Sequence, residues 1–137
     1  MKITKTTHSK LAYTDFNNLS FGKNFSDHMF NANFKDGQWT NEEIVPYGPI
    51  SVNPSTHVFH YGQAIFEGMK AYKNKEGKIL LFRPLDNLKR FNTSAERLCM
   101  PTINDDLFMN GLIELLKVDS EWIPNSESKS LSVSYTH

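Results

Sequence analysis

The sequence predicts an α+β fold in which antiparallel hairpins and two packed helices share one hydrophobic core. Two patterns predict it. β-like runs separated by turn residues occupy the first half of the chain, and apolar residues recur every three or four positions in the second half. The 137 residues are enough to bury a core, but they are too few for two full-sized domains.

Composition and charge exclude several classes of partner. The chain has 39% hydrophobic and 22% charged residues, as a globular domain does. Its 15 basic residues balance 15 acidic ones, so no positive field favours nucleic acid or an acidic membrane. The sequence shows neither a membrane-length apolar run nor a secretory leader, and we expect a cytoplasmic protein. The single cysteine, Cys99, follows Leu98 and is expected to be a small buried hydrophobe.

The first half of the chain predicts an arm, a hairpin, a loop and a mixed segment. Residues 1–20 are polar without sustained periodicity, which indicates an extended arm. From Asn24 to Pro46, two β-like runs flank Asp36-Gly37, a pair that favours the positive φ angles of a tight hairpin turn. A proline-rich loop follows over residues 46–54. We interpret Val58 to Gly68 as a short strand that runs into about two helical turns.

The rest of the chain predicts a second hairpin and two helices, and its last residues show only a short strand-like alternation. The hairpin comprises Met69 to Tyr72 and Ile79 to Arg83. Pro84 begins the first helix, where its missing N–H is tolerated, and Asn104 caps the second. The predicted buried stripes are Leu88, Phe91, Ala95 and Leu98 in the first helix, and Phe108, Leu112, Leu115 and Leu116 in the second. Leu131, Val133 and Tyr135 alternate with polar residues, which hints at a strand.

We expect both hairpins to form one mostly antiparallel sheet with the two helices on one face. Few residues within this fold suggest chemistry, because the sequence has no glycine-rich phosphate loop, metal-ligand cluster or nucleophile elbow. His28 and His60 lie in strand-like segments and are interpreted as structural, hydrogen-bonded histidines.

The three arginines, Arg83, Arg90 and Arg97, are more informative, because a guanidinium recognises phosphate or carboxylate with two parallel hydrogen bonds. From the residues alone, a solvated ion pair such as Asp86 with Arg90 is the favoured alternative to an anion site. The aromatic residues Phe21, Phe25, Tyr61 and Phe66 either pack in the core, which is the default, or line an apolar pocket.

Four segments resemble the N-terminal part of the branched-chain amino acid aminotransferases, which are pyridoxal-phosphate enzymes of fold type IV. The matching segments are residues 21–29, His60 to Tyr72 with its Phe66-Glu67-Gly68 element, Leu81 to Arg90, and Ser94 to Pro101. The resemblance is continuous from about Leu19 to Ile123. The Phe-Glu-Gly element alone indicates the wider fold-type-IV group, whereas the ordered set of segments indicates the branched-chain branch.

The resemblance implies a transferase that reversibly moves an amino group between leucine, isoleucine or valine and 2-oxoglutarate, with pyridoxal 5′-phosphate as cofactor. It implies that Arg90 holds the cofactor phosphate and that Phe21, Tyr61 and Phe66 wall the apolar pocket for the substrate side chain. No residue of the chain matches the family's Schiff-base lysine, and Lys70 lies in a different motif. No catalytic residue and no metal ligand is therefore assigned. The resemblance also implies a homodimer for the intact enzyme.

The match ends abruptly near the end of the chain. Where the family has a strand with a substrate-binding tyrosine and arginine, this chain has Ser132 and Ser134. We therefore divide the chain into an arm (1–20), an aminotransferase small domain (21–124) and a divergent tail (125–137). We expect a truncated chain that is inactive alone.

Two other functions remain open. The main alternative is a non-catalytic module that binds anions or protein partners. Another fold-type-IV activity, that of a D-amino acid aminotransferase or an aminodeoxychorismate lyase, fits the set of segments less well.

Overall fold

Two three-stranded sheets and two long helices make up the fold, which confirms the α+β class. The computed structural model describes residues 1–20, 22–126 and 129–137. The strands are β1 (Lys2–Ile3), β2 (His28–Lys35), β3 (Gln38–Pro46), β4 (Phe66–Lys73), β5 (Ile79–Leu81) and β6 (Leu131–Thr136). The helices are α1 (His57–Tyr61), α2 (Pro84–Arg97) and α3 (Asp105–Val118), with short 3₁₀ turns at Leu11–Tyr13 and Ser120–Trp122.

The first sheet confirms the hairpin predicted at Asp36-Gly37. Strands β2 and β3 pair antiparallel up to Lys35 opposite Gln38, and the two turn residues have φ angles of 53° and 81°. Both positive angles are those of a type I′ turn, whose twist matches the flanking strands. Strand β1 adds a parallel pairing to β3, so the start of the predicted arm is joined to the first sheet.

The second sheet has the order β5-β4-β6, and both of its pairings are antiparallel. The prediction of one shared sheet is wrong, because each hairpin belongs to its own sheet. The short alternation of Leu131, Val133 and Tyr135, which alone was too brief to predict a strand, is strand β6 in the structure. Its register places Val133 opposite Met69 and Leu131 opposite Ala71, so the apolar residues of β6 share the face that β4 turns toward the helices.

The interpretation of residues 58–68 is wrong in the order of its elements. Helix α1 comes first and ends at Tyr61, because Gly62 adopts the left-handed conformation with a φ of 61°. Strand β4 follows from Phe66, and its residues alternate between exposed and inward-facing positions, as the residues of a strand do. His60 therefore lies on a helix, where its Nε2 is 2.8 Å from the carbonyl oxygen of Pro54.

The helix boundaries confirm both terminal predictions. Pro84 is the first residue of α2, and the Asn104 side chain accepts a hydrogen bond from the backbone N–H of Leu107. The predicted stripes are mostly buried, with Leu88, Phe91 and Ala95 in α2 and Phe108, Leu112 and Leu116 in α3. Leu98 and Cys99 are exposed because they follow the end of α2, so their predicted burial is wrong.

Glycine 111 allows the first sheet to approach helix α3. A Cβ atom built at this position would lie 2.8 Å from the ring of Phe30 on β2, closer than a Cβ can approach a carbon atom. The glycine lowers the intrinsic stability of the helix by about 1 kcal/mol. Because Gly111 has no Cβ atom, the Phe30 ring packs directly on the backbone of α3.

Two buried carboxylates tie the arm to the rest of the fold. The Nδ1 atom of His28 lies 2.6 Å from Oδ1 of Asp119, and its Nε2 accepts a hydrogen bond from the backbone N–H of Thr6 at 2.9 Å. Because a backbone N–H can only donate, the ring proton is on Nδ1 and is donated to Asp119. His28 is thus a structural histidine, as its sequence position predicts.

Asp27 is the second of these carboxylates. It accepts hydrogen bonds from Ser9 Oγ at 2.5 Å, from the Lys10 N–H at 2.9 Å and from Trp122 Nε1 at 3.1 Å. Desolvation raises the pKa of Asp27, but these hydrogen bonds outweigh it and hold the pKa below its ordinary value. The carboxylate therefore joins the arm to the turn after α3 in its charged form.

Substitution of Asp119 by alanine is expected to destabilise the fold strongly. It removes the partner of both the ring and the backbone N–H of buried His28, which leaves two donors unsatisfied. We expect the free energy of unfolding to fall by about 3–5 kcal/mol in urea denaturation. The matched control is Asp106→Ala on the exposed first turn of α3, which should cost less than about 1 kcal/mol. Equal effects of the two substitutions would contradict this account of the arm.

Candidate anion-binding site

The site is built around an ion pair between helix α2 and strand β4. Arg90 donates from Nε to Oε2 of Glu67 at 2.9 Å and from Nη2 to Oε1 of Glu67 at 3.0 Å. This is the two-bond geometry in which guanidinium and carboxylate interact most strongly. The ion pair considered from the sequence, Asp86 with Arg90, is not formed as such, because Asp86 pairs with Arg83.

Glu67 is itself held in place by its surroundings. Its Oε1 accepts hydrogen bonds from the backbone N–H of Gly68 at 2.9 Å and from Asn87 Nδ2 at 3.3 Å. Buried Asn87 also donates to the carbonyl oxygen of Gly68 at 3.1 Å, which ties α2 to β4 independently of the charges. The Glu67 side chain is only 14% exposed, whereas that of Arg90 is 65% exposed.

The electrostatics of the pair favour both charged forms. Desolvation raises the pKa of Glu67, but the hydrogen bonds from Arg90, Gly68 and Asn87 outweigh it, and the pKa lies below its ordinary 4.5. The same hydrogen bond and the charge of Glu67 raise the pKa of Arg90. The pair is therefore ionised throughout the neutral range.

Arg90 borders a surface depression of about 570 Å³ between β4 and the start of α2. Its walls are Met69, Lys70, Tyr72, Phe82, Arg83, Asp86, Asn87, Lys89 and Arg90. Four of these residues are cationic and only Asp86 is acidic, so positive charge predominates in the depression. Such a surface attracts anions.

The guanidinium of Arg90 has a second edge that can bind an anion. Of its five N–H donors, Glu67 takes the one on Nε and one on Nη2. The other three make no hydrogen bond within the part of the chain that the structure describes. The end edge, formed by Nη1 and Nη2, can therefore donate two parallel hydrogen bonds to a phosphate, and the donor set fits that group.

Two of the predicted pocket residues, Tyr61 and Phe66, do not line the depression at Arg90. Tyr61 ends α1 and Phe66 begins β4, and each is 80% exposed. Since neighbouring residues of a strand point to opposite faces, Phe66 lies on the face of β4 opposite to Glu67. Phe21 lies outside the described residues. Phe25 does not pack in the core but stacks on Tyr47, with ring centroids 4.9 Å apart.

A larger cavity of about 850 Å³ lies between the first sheet and α3. Its lining is mostly apolar and includes Phe30, Phe108 and Trp122, but not Arg90, Tyr61 or Phe66. Size alone would favour this cavity, but the positive charge and the open guanidinium edge lie in the smaller depression. We therefore place the candidate site at Arg90.

Two partners in the site, Glu67 and Asn87, were not assigned a binding role from the sequence. The alternation of Glu67, Met69 and Ala71 along β4 is the signal that would have placed the carboxylate on the face toward α2. Assigning Phe66-Glu67-Gly68 to helical turns concealed that signal. Among the described residues, the structure holds no group of three or more potential metal ligands, and none of its helices could span a membrane.

Comparisons with known proteins point to one kind of enzyme. Branched-chain-amino-acid aminotransferase 2 of Bacillus subtilis is 44% identical over 128 residues, which is 93% of this chain and 35% of that protein. Branched-chain-amino-acid transaminase 1 of the same organism is 42% identical over 87% of this chain and 34% of its own length. A probable branched-chain-amino-acid aminotransferase of Staphylococcus aureus is 45% identical over 87% of this chain and 33% of its own length. No protein-family model matches the chain.

These similarities relate the chain to the aminotransferases. More particularly, the chain is homologous to branched-chain-amino-acid aminotransferases, as the resemblance seen in the sequence implied. It spans about a third of the length of the curated relatives that it matches.

The lowered pKa of Glu67 predicts how the ion pair responds to acid. The stabilisation from ionised Glu67 is fully present above pH 4.5 and is lost as the pH falls through the lower pKa of the folded state. We expect the difference in unfolding free energy between wild type and Glu67→Gln to be constant above about pH 5.5 and to shrink below about pH 4.5.

Urea denaturation at a series of pH values measures this difference. Glu76→Gln is the matched control, because Glu76 pairs with Lys78 on the surface, where both side chains are more than 70% exposed. The control should have little effect at any pH. A Glu67→Gln difference that stays constant down to pH 3 would contradict the ionised pair.

Proposed function

We propose that this chain forms the part of a branched-chain amino acid aminotransferase that anchors the phosphate of pyridoxal 5′-phosphate. The observation that carries the proposal is the open edge of Arg90 in a cationic depression, on a chain whose relatives bear that name. The proposed reaction is the reversible transfer of an amino group between leucine, isoleucine or valine and 2-oxoglutarate.

The proposal assigns cofactor binding and substrate binding to different residues of the chain. Arg90 binds the cofactor phosphate with its end edge, and the neighbouring Lys70 and Lys89 add positive charge. When bound, the cofactor would act as an electron sink for negative charge on the carbon that carries the amino group. Tyr61, Phe66 and Phe21 wall the pocket for the substrate's apolar side chain. The exposed rings of Tyr61 and Phe66 offer the area that such a pocket needs, with a stabilisation of about 25 cal/mol per Å² buried.

The proposal extends to the assembly of the intact enzyme. We propose a homodimer of fold type IV that acts in the cytoplasm, with residues 21–124 as its small domain after an arm at 1–20. Nineteen large hydrophobic side chains among the described residues are exposed, including Phe59, Phe66 and Phe82, and a second subunit or a further domain would cover such a surface.

The 137 residues by themselves are proposed to be inactive in transamination. The chain spans about a third of its relatives, and Lys70, which lines the same depression as Arg90, belongs to a different motif from the lysine that the family uses. We expect no formation of glutamate above background when the chain is incubated with leucine, 2-oxoglutarate and cofactor. Glutamate formation that depends on the chain would contradict this expectation.

The alternative is a module that binds an anion or a protein partner without catalysis. The exposed aromatic rings and the cationic depression are the observations that favour it. The two functions differ in their preference for the cofactor. A general anion site binds inorganic phosphate as well as it binds pyridoxal 5′-phosphate.

Substitution of Arg90 tests the proposed anchor. We expect Arg90→Ala to weaken the binding of pyridoxal 5′-phosphate in calorimetry by about tenfold or more, because it removes a charge-assisted, two-bond contact. Pyridoxal, which lacks the phosphate, should bind the variant and the wild type equally. The matched control is Arg97→Ala, an exposed arginine on the same helix, which should change neither affinity. Equal losses from the two substitutions would contradict a specific role for Arg90.

A further inference from the structure

We infer that Glu67 is a positioning residue, which holds the guanidinium of Arg90 so that its end edge is ordered before an anion arrives. The inference rests on the proposed function for the identity of that anion, the phosphate of pyridoxal 5′-phosphate. It gives a binding role to a carboxylate that the sequence identified only as a member of the Phe66-Glu67-Gly68 element.

The two edges of the Arg90 guanidinium are available to two different partners. Glu67 occupies the side edge, formed by Nε and Nη2, with both of its oxygens. A guanidinium is planar, so fixing the side edge also fixes the direction of the end edge. An anion that binds there meets two donors whose orientation is already set.

The contact with Glu67 affects anion binding because the Arg90 side chain is 65% exposed. Without a partner, a long exposed arginine samples many rotamers, and an anion would have to order it on binding. Glu67 is 14% exposed and is fixed by the Gly68 N–H and by buried Asn87. The ordering of Arg90 therefore takes place when the chain folds, and it does not weaken anion binding.

A purely electrostatic role for Glu67 leads to the opposite expectation. A carboxylate beside an anion site repels the anion, so its neutralisation should tighten binding if charge were its only contribution. With Glu67 ionised and Arg83 paired with Asp86, Lys70 and Lys89 still leave the depression cationic. Neutralisation of Glu67 therefore distinguishes the two roles. The affinity for the anion falls if Glu67 positions Arg90, and it rises if Glu67 only repels the anion.

The test is a double-mutant cycle on the 137-residue chain, with calorimetric titration of pyridoxal 5′-phosphate and of pyridoxal. Glu67→Gln removes the charge at constant shape, and Glu67→Asp keeps the charge but withdraws the carboxylate. We expect both variants to bind pyridoxal 5′-phosphate at least fivefold more weakly than the wild type does, with pyridoxal unaffected. In the Arg90→Ala background, Glu67→Gln should cause no further loss, because Glu67 acts through Arg90.

Other results would overturn the inference. Equal or tighter binding by Glu67→Gln would mean that the carboxylate only opposes the anion. A loss that persists in the Arg90→Ala background would mean that Glu67 acts through the fold or by another route. Glu76→Gln, which removes a surface carboxylate elsewhere, is the matched control and should leave both affinities unchanged.

A measurement on the wild type keeps the inference testable if the variants fold poorly. In the ligand-free chain, the ¹H–¹⁵N signal of Arg90 Nε, assigned by its loss in Arg90→Lys, should be resolved and protected from exchange. A signal averaged with those of solvent-exposed arginines would overturn the inference.

Failure of the proposed function gives a different result. The wild type would then bind pyridoxal 5′-phosphate no more tightly than pyridoxal, while the Nε signal would still report the contact with Glu67. Inorganic phosphate then replaces the cofactor in the same cycle. Its failure to bind, or to respond to Glu67→Gln, would overturn the positioning role as well.

Discussion

The register of strand β4 is the constraint on which both the core and the candidate site depend. Its residues alternate between two faces, so Glu67, Met69 and Ala71 point toward the helices while Phe66 points away. Pairing with β5 and β6 on either side fixes that alternation. A shift by one residue would expose the core residues and would withdraw Glu67 from Arg90. The apolar burial that stabilises the fold therefore also sets the position of the ion pair.

The site gains its rigidity from the elements that carry it. Arg90 and Asn87 lie on the first turns of α2, and Glu67 and Gly68 lie on a central strand. Groups mounted on a helix and a strand hold their geometry better than groups on loops. The relatives of the chain are named as aminotransferases, and the phosphate that we propose to bind at Arg90 needs a fixed anion site. The Glu67–Arg90 pair can supply that feature without any contribution from the aromatic pocket residues.

Local chemistry made much of the fold predictable. Asp36-Gly37 specifies a turn by its backbone preferences. Pro84 specifies the start of a helix because it lacks the N–H that would be unpaired there, and Asn104 does so because its side chain accepts a hydrogen bond from such an N–H. The failures involve contacts between distant segments. Cys99 is exposed because α2 ends before it, and Arg90 meets Glu67, 23 positions earlier, and not Asp86 on its own helix. The phosphate role proposed for Arg90 came from the family resemblance and not from the residues alone, since an arginine on a helix pairs more often with a nearby acid.

A crystal structure of the chain with pyridoxal 5′-phosphate is the most direct test of the central claim, that Arg90 is an anion anchor held by Glu67. The account predicts phosphate oxygens within hydrogen-bond distance of Nη1 and Nη2 of Arg90, with Glu67 still bonded to Nε and Nη2. Phosphate bound elsewhere on the chain would contradict the anchor. Phosphate at Arg90 with Glu67 displaced from the guanidinium would contradict the positioning role.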